Sequence, residues 1–407
     1  AKGSNEEAYI FQKLIRTGFK TNNVDHCTRL CHASSVAALL QSVGSAAVSA
    51  PFTTVKDSEC IILIGARPEQ NHPVAASYFK QAVKNGTKLI ILDPRKQSLS
   101  RYATHHLQFN PGQDLALLNA MIFTIIEENL TNKEYIENHT EGFKQLEKEI
   151  KKFNPVLMEK LCGIPKEIIR EVARIYAKAK TSIIFWGMGI SQHVHGTQNA
   201  FSLINLALIT GHLGKPGTGL HPLRGQNNVQ GASDAGLIPM SYPDYNSVKI
   251  KTNNEKMEKF WNSNLDLNEG KTVVEIIKDI NAGVIKGLYV QGENPAMSDP
   301  DLIHTRKGLA KLDHLVVQDI FMTETAWFAD VILPATAHAE KLGTYTNTNR
   351  QVQIGRNVIE PPKGVKQDWW IIQEIARRIG LDWNYTSPKE IFNEMKLIMP
   401  SLNNISW

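Results

Sequence analysis

Cys60-Ile61-Ile62-Leu63-Ile64-Gly65 is a continuous apolar run closed by a glycine. That is the pattern of a parallel strand buried on both faces of a sheet. Ala66 to Pro73 reads as the loop that follows, and a helix is predicted to about Lys84. Asn85-Gly86 turns into a second strand, Lys88 to Leu92, which ends at Asp93-Pro94-Arg95. Strand, helix and parallel strand form a βαβ unit of the nucleotide-binding type. A third strand is predicted over His106 to Phe109, and Pro111-Gly112-Gln113-Asp114 opens a helix to about Asn129. Helices at about 132–150 and 165–179 precede another buried strand, Ser182 to Trp186, and a helix to about Thr210. The run Gly211 to Gly219 is too rich in glycine for regular structure, so it should bring backbone close to a ligand or another loop. Upstream, helical spacing of Tyr9, Ile10 and Leu14 predicts an amphipathic helix over 6–17, stopped by Gly18.

The pattern then recurs. Lys286-Gly287-Leu288-Tyr289-Val290-Gln291-Gly292-Glu293-Asn294-Pro295 echoes Ile62 to Pro68, with a Gly-x-x-Pro turn after each strand. His314 to Asp319 echoes Leu89 to Asp93, and Phe328 to Pro334 parallels Tyr102 to Pro111. Residues 241–270 look like a surface insertion. The expected fold is α/β, with two Rossmann-like αβα domains, mostly parallel sheets and pseudo-symmetric nucleotide-binding halves. Residues 27–226 make one domain; 1–26 with 227–407 make a second, discontinuous one. Two half-sites imply two nucleotide moieties or one ligand with two halves. Ligands of such sheets lie beyond the carboxyl ends of the strands, where Arg67, Asn71, Asp93, Arg95, Met188, Gln192, Asn294, Gln318 and Asp319 fall. Neither Gly-x-Gly-x-x-Gly after a leading strand nor Gly-x-x-x-x-Gly-Lys-Ser/Thr is found, which disfavours ordinary NAD or ATP binding.

With 407 residues, 42% of them hydrophobic and 21% charged, the chain is long enough for two or three globular domains. A formal net charge of +5 without a basic block excludes a nucleic-acid partner as the expectation. No apolar run approaches the roughly 18 residues of a membrane span, so no membrane insertion is expected. The opening residues lack the regions of a signal peptide, and without an initiator methionine the chain reads as the interior of a longer protein. Four cysteines are too few for a disulfide scaffold, and a reducing cytoplasm is the simpler location.

Chemistry concentrates in Asp25-His26-Cys27-Thr28-Arg29-Leu30-Cys31-His32, just ahead of an apolar run from Val36 to Val48 that reads as the start of a helix. A thiol at a helix N-terminus is activated by the helix dipole. A zinc site on Cys27 and Cys31 would lack a second nearby Cys/His pair.

Together, Asn22-Asn23-Val24-Asp25-x-Cys27-x-Arg29-x-Cys31-His32, Leu92-Asp93-Pro94-Arg95, Trp186-Gly187-Met188-Gly189, Arg224-Gly225-Gln226-Asn227-Asn228-Val229-Gln230-Gly231 and Gln318-Asp319-Ile320-Phe321 resemble the molybdopterin oxidoreductases. Among these the formate dehydrogenase catalytic subunits are most similar. The resemblance implies two molybdopterin guanine dinucleotides around one Mo or W ion, which fits two half-sites. It makes Cys31 the protein ligand to the metal, a soft thiolate suited to a sulfur-rich centre. It makes His32 a proton acceptor or electrostatic partner in C–H cleavage, and Arg224 the residue that holds formate through a planar pair of hydrogen bonds. Gly112, Asp114, Gly225, Gln226, Ser298 and Asp368 complete the implied cofactor-binding set. Cys27 becomes packing. The 4Fe-4S motif usual at the start of such subunits is not in this sequence; the resemblance puts the cluster in the full-length protein, beyond this chain. Partners implied are formate, iron–sulfur domains or subunits, and an NAD-reducing partner as one destination for the electrons. Nitrate reduction, where Met typically replaces His32, and a cofactor-free structural relative remain the alternatives.

Overall fold

The computed structural model describes residues 2–407. They form two compact units. The second is Cys31–Gly225 with Thr348–Arg350; the first comprises the chain up to Leu30, Gln226–Asn347 and Gln351–Trp407.

In the second unit, β1 (Cys60–Ile64), β2 (Lys88–Leu92), β3 (His105–Leu107), β4 (Ser182–Trp186) and β5 (Gly219–Pro222) form one parallel sheet in the order β3-β2-β1-β4-β5. Alternate residues feed two cores. Ile62, Ile64, Ile90, Leu92, Ile184 and Trp186 pack with the helices Asp114–Glu127, Lys166–Lys178 and Gly196–Thr210. Ile61, Leu63, Leu89, Ile91, Ile183 and Phe185 pack with Ala75, Ala76 and Phe79 of the helix Pro73–Lys84. Each buried aliphatic side chain contributes about 2 kcal/mol, against a spread of about 1 kcal/mol for strand propensity. Burial on both faces therefore decides the strands.

The sheet ends in a close approach. Gly65, after β1, has φ +57°, and its amide donates to the Leu92 carbonyl at 3.2 Å. A Cβ on Gly189 would lie 2.7 Å from the Gly65 Cα. Gly189→Ala is expected to destabilise the protein by about 3 kcal/mol through overpacking that backbone cannot relieve; a wild-type urea midpoint would refute this.

In the first unit, β6 (Ser241–Tyr242) and β7 (Asn246–Ser247) form a short antiparallel pair, and β8 (Gly287–Gln291), β9 (His314–Asp319) and β10 (Val331–Pro334) a parallel sheet ordered β10-β9-β8. A last antiparallel pair joins β11 (Gly343–Thr346) to β12 (Val352–Gly355). The echo read in the sequence is geometric. Gly292 after β8 has φ +58°, and its amide donates to the Gln318 carbonyl at 2.9 Å, as Gly65 does to Leu92. Each turn leads into a four-residue helix with proline at its start, Pro68–Asn71 and Pro295–Ser298.

Several elements differ from expectation. The helix expected over 132–150 breaks into Lys133–His139 and Phe143–Glu149, because Gly142 takes φ +76° between them. The helix Pro155–Cys162, capped by Asn154, was not anticipated. The helix expected from Val36 starts at Ala33 and stops at left-handed Gly44. Residues 241–270 are not a surface insertion: Tyr242, Val248, Met257, Trp261 and Leu265 enter the core of the first unit. Gly217 approaches another loop, since an added Cβ would lie 2.2 Å from the Asp57 carbonyl oxygen. The helix Asn5–Thr17 is amphipathic in sequence yet buried on all sides. Its charges are paired instead of solvated: Lys13 with Glu394 at 2.7 Å, and Arg16 with the carbonyls of Gly236, Ile238 and Ser241. Among the described residues no helix is long and apolar enough to cross a membrane.

Candidate functional site

Cys31 and Arg224-Gly225 stand at the two ends of the long segment of the second unit. Cys31 closes the short helix Thr28–Cys31, and His32 is the N-cap of Ala33–Val43. Cys31 is 9% exposed, and its Sγ lies 3.5 Å from the Met188 Sδ. Met188 is carried to it by the turn after β4, where Gly187 and Gly189 let the chain pass Gly65.

His32 is fully buried, and its bonds fix its tautomer. Nε2 lies 3.0 Å from the Leu223 carbonyl, which can only accept, so Nε2 carries the proton. Nδ1, 2.9 Å from Ser191 Oγ, is then the acceptor. The direction propagates: Trp186 Nε1 donates to Ser35 Oγ at 2.8 Å, Ser35 donates to Ser191 at 2.7 Å, and Ser191 donates to His32. Burial, and then the neighbouring Arg224 charge, hold the imidazole well below its usual range, so it is neutral near pH 7. In this arrangement Nδ1 accepts from Ser191 and Nε2 donates to Leu223, so both ring nitrogens are engaged. What the ring does is tie the residue after Cys31 to the residue before Arg224.

Arg224 is 4% exposed, and its Nη2 donates to the Ala46 carbonyl at 2.7 Å. Its main chain is held from both sides, by Thr348 Oγ1 at 3.1 Å on the amide and by His72 Nε2 at 2.6 Å on the carbonyl.

Further along the carboxyl edge of the same sheet, Arg67 begins the helix Pro68–Asn71, with Asn71 exposed at its end. Asp93 Oδ1 accepts from the Arg95 amide at 2.8 Å, Oδ2 from Gln97 at 3.4 Å, and burial raises the carboxyl. The Arg95 side chain is exposed. Gly112, at φ +85°, makes the turn before Asp114, whose buried carboxylate lies 3.8 Å from His193 Nε2. Gln192 ends the helix Met188–Ser191, and Gly225 is exposed beside Arg224.

The other expected residues belong to the first unit, and most are engaged internally. Gln226 begins its second segment. Asn294 binds Glu324 at 2.6 Å and the Thr325 hydroxyl at 2.8 Å, and Ser298 donates to the Asn294 carbonyl. Asp319 accepts from the amides of Ile320 and Phe321. Gln318 is fully buried between Tyr289 and Asp368, donating to the latter at 2.7 Å. Asp368 in turn pairs at 2.6 Å with Lys341, which also meets Glu7 at 2.9 Å. Gln318 and Asp368 therefore join a buried cluster with Lys341 and Glu7, partners that no local sequence pattern announces.

In that cluster burial pushes Glu7 up to about 7, against the pull of Lys341. A carboxyl raised on folding holds its proton in the native state while the unfolded chain has lost it. Its contribution to stability therefore falls as pH rises from the ordinary 4.5 to about 7. Glu7→Gln is expected to gain stability relative to wild type steadily across that window, read by chemical denaturation at a series of pH values. A constant difference would refute it.

The sequence profile of the molybdopterin oxidoreductase family matches residues 2–378. The chain belongs to the molybdopterin oxidoreductase family. It is 44% identical over 409 residues to the F420-dependent formate dehydrogenase subunit alpha of Methanocaldococcus jannaschii, covering 100% of this chain and 60% of that protein. It is 41% identical over 404 residues to formate dehydrogenase H of Escherichia coli, covering 99% of this chain and 56% of that protein. It thus spans well under two thirds of these relatives. Acetylene hydratase from Pelobacter acetylenicus shares the fold, with a TM-score of 0.79 at 22% identity over 100% of this chain and 57% of that one.

Family membership implies a molybdopterin cofactor with Mo or W. The residues present fit such a group. Arg67 Nε, Glu69 Oε2 and Gln97 Oε1 are buried at the carboxyl edge of the second unit's sheet, with no hydrogen-bond partner among the described residues. A buried polar atom left unpaired costs about 1–3 kcal/mol, so a donor and two acceptors there suit a ligand that offers both kinds of group. Among the described residues no three His, Cys, Asp or Glu side chains converge as a metal site would need. A metal at the Cys31 sulfur would take its remaining ligands from a cofactor.

Proposed function

We propose that the protein is the cofactor-binding core of a formate dehydrogenase, oxidising formate to CO2, a proton and two electrons. Cys31 is the protein ligand to Mo or W, and the pterins are present as two guanine dinucleotides. Arg67, Asp93 and Asp114 hold one from the second unit, with Gly112, Met188 and Gln192 lining the same edge; Asn294, Ser298 and Asp319 mark the matching edge of the first. When bound, the metal and its dithiolenes supply the two-electron acceptor. The chain's residues do the rest. Arg224 binds the carboxylate, and its planar donors favour one orientation of the C–H bond. The low exposure of Cys31 and Arg224 keeps water from competing for the anion. Neutral His32 holds the Cys31 and Arg224 segments together and adds no second positive charge.

The observation that carries this reading is the bond from His32 Nε2 to the Leu223 carbonyl, which couples a soft metal ligand to an anion-binding arginine. The names of the relatives above support formate as the substrate. The name of the first supports F420 as a final acceptor; on this reading NAD is the other candidate, and iron–sulfur domains or subunits carry the electrons to it. The full-length protein, purified from a host supplied with molybdate or tungstate, tests it by assays with formate and nitrate and by metal analysis. Nitrate reduction without formate oxidation would overturn the substrate. Absence of Mo, W and pterin would favour a cofactor-free scaffold.

A further inference from the structure

Thr348-Asn349-Arg350 belongs to the second unit although the chain on either side belongs to the first. Two of these residues bond deep into that unit. Asn349 Oδ1 accepts from the Phe52 amide at 2.9 Å. Thr348 Oγ1 lies 3.1 Å from the Arg224 amide and 3.3 Å from His221 Nε2. His221 is fully buried and its Nδ1 lies 2.8 Å from the Ala50 carbonyl, which can only accept. The Nδ1 proton is therefore on that side, Nε2 is an acceptor, and the Thr348 hydroxyl must donate to it. The oxygen's lone pairs are then free for the Arg224 amide. One hydrogen-bond pattern satisfies all four groups, and a side chain without a hydroxyl leaves both His221 Nε2 and the Arg224 amide without this partner. On the opposite side the Arg224 carbonyl accepts from His72.

We propose that Thr348 is a positioning residue for the substrate arginine. It fixes the Arg224 peptide, so that the guanidinium is presented in one place without the backbone having to order when the anion binds. The argument rests on the reading of Arg224 as the formate-binding residue. Preorganisation of this kind appears in affinity more than in the chemical step.

The test uses the full-length enzyme with Thr348→Val, of matching shape, and Thr348→Ser, which keeps the hydroxyl. Hydrogen–deuterium exchange over 221–226 is read without substrate, and steady-state kinetics with formate. Losing one hydrogen bond predicts about tenfold faster exchange of the Arg224 amide in Thr348→Val, and a KM for formate raised about tenfold with kcat within about twofold. Thr348→Ser should match wild type in both. Unchanged exchange in Thr348→Val, or equal acceleration in both variants, overturns the role of the hydroxyl. Faster exchange with an unchanged KM supports the clamp and overturns the assignment of formate to Arg224.

Discussion

Cys31→Ala in the full-length protein is expected to lower formate oxidation by more than about a thousandfold, equivalent to about 4 kcal/mol of barrier. On the proposed reading the reason is the loss of the metal ligand and not the packing. Cys31 is a small, nearly buried side chain whose sulfur lies against that of Met188, so alanine removes one atom and leaves the surrounding helices in place. Cys31→Ser separates the two causes: it has the right shape, but a hard, weakly acidic hydroxyl replaces a soft thiolate. Both variants should melt within a few degrees of wild type while losing activity, and elemental analysis should find less Mo or W retained. Near-normal turnover in either would refute Cys31 as the metal ligand.

Arg224→Lys is expected to lower kcat/KM for formate by about a hundredfold or more. Charge alone does not reproduce a planar pair of donors. The lysine variant keeps the positive charge that lowers the basicity of His32, so the electrostatic surroundings change least. Arg224→Ala should be worse on two counts. It removes the anion contact, and it strips the Ala46 carbonyl of its donor, at a cost of about 1–3 kcal/mol in stability. Thermal melts beside the kinetics distinguish these losses. A lysine variant with wild-type KM would mean that formate is held elsewhere.

The strands β1, β2 and β4 were legible because each is an almost continuous apolar run, and Gly65 and Gly292 mark the ends of β1 and β8. Cys31, His32 and Arg224 were legible as types in a familiar order. What the sequence hid is how they are held. Ser35 and Ser191 sit in unremarkable stretches and Trp186 opens a motif whose pattern says nothing of its indole, and only the fold lines their hydroxyls and indole into one direction of donation. The internal partners of Gln318 and Asp368 were hidden for the complementary reason. They stand where ligand-binding polar residues would, and nothing local records that Lys341 and Glu7 arrive to pair with them. Burial of helix 5–17 was hidden likewise, since its charged residues find partners far away in the chain.

The bond between Arg224 and Thr348 spans 124 residues. During synthesis on the ribosome, at about 5–20 residues per second, the arginine segment emerges on the order of ten seconds before the residue that completes its surroundings. All five strands of the sheet precede the arginine in the chain, so through that interval the whole sheet has been synthesised but not its last stitch. A truncation or stalled translation product ending before residue 348 would then present a folded sheet with an unfinished arginine loop, a state that quality-control proteases and chaperones can distinguish from the finished protein.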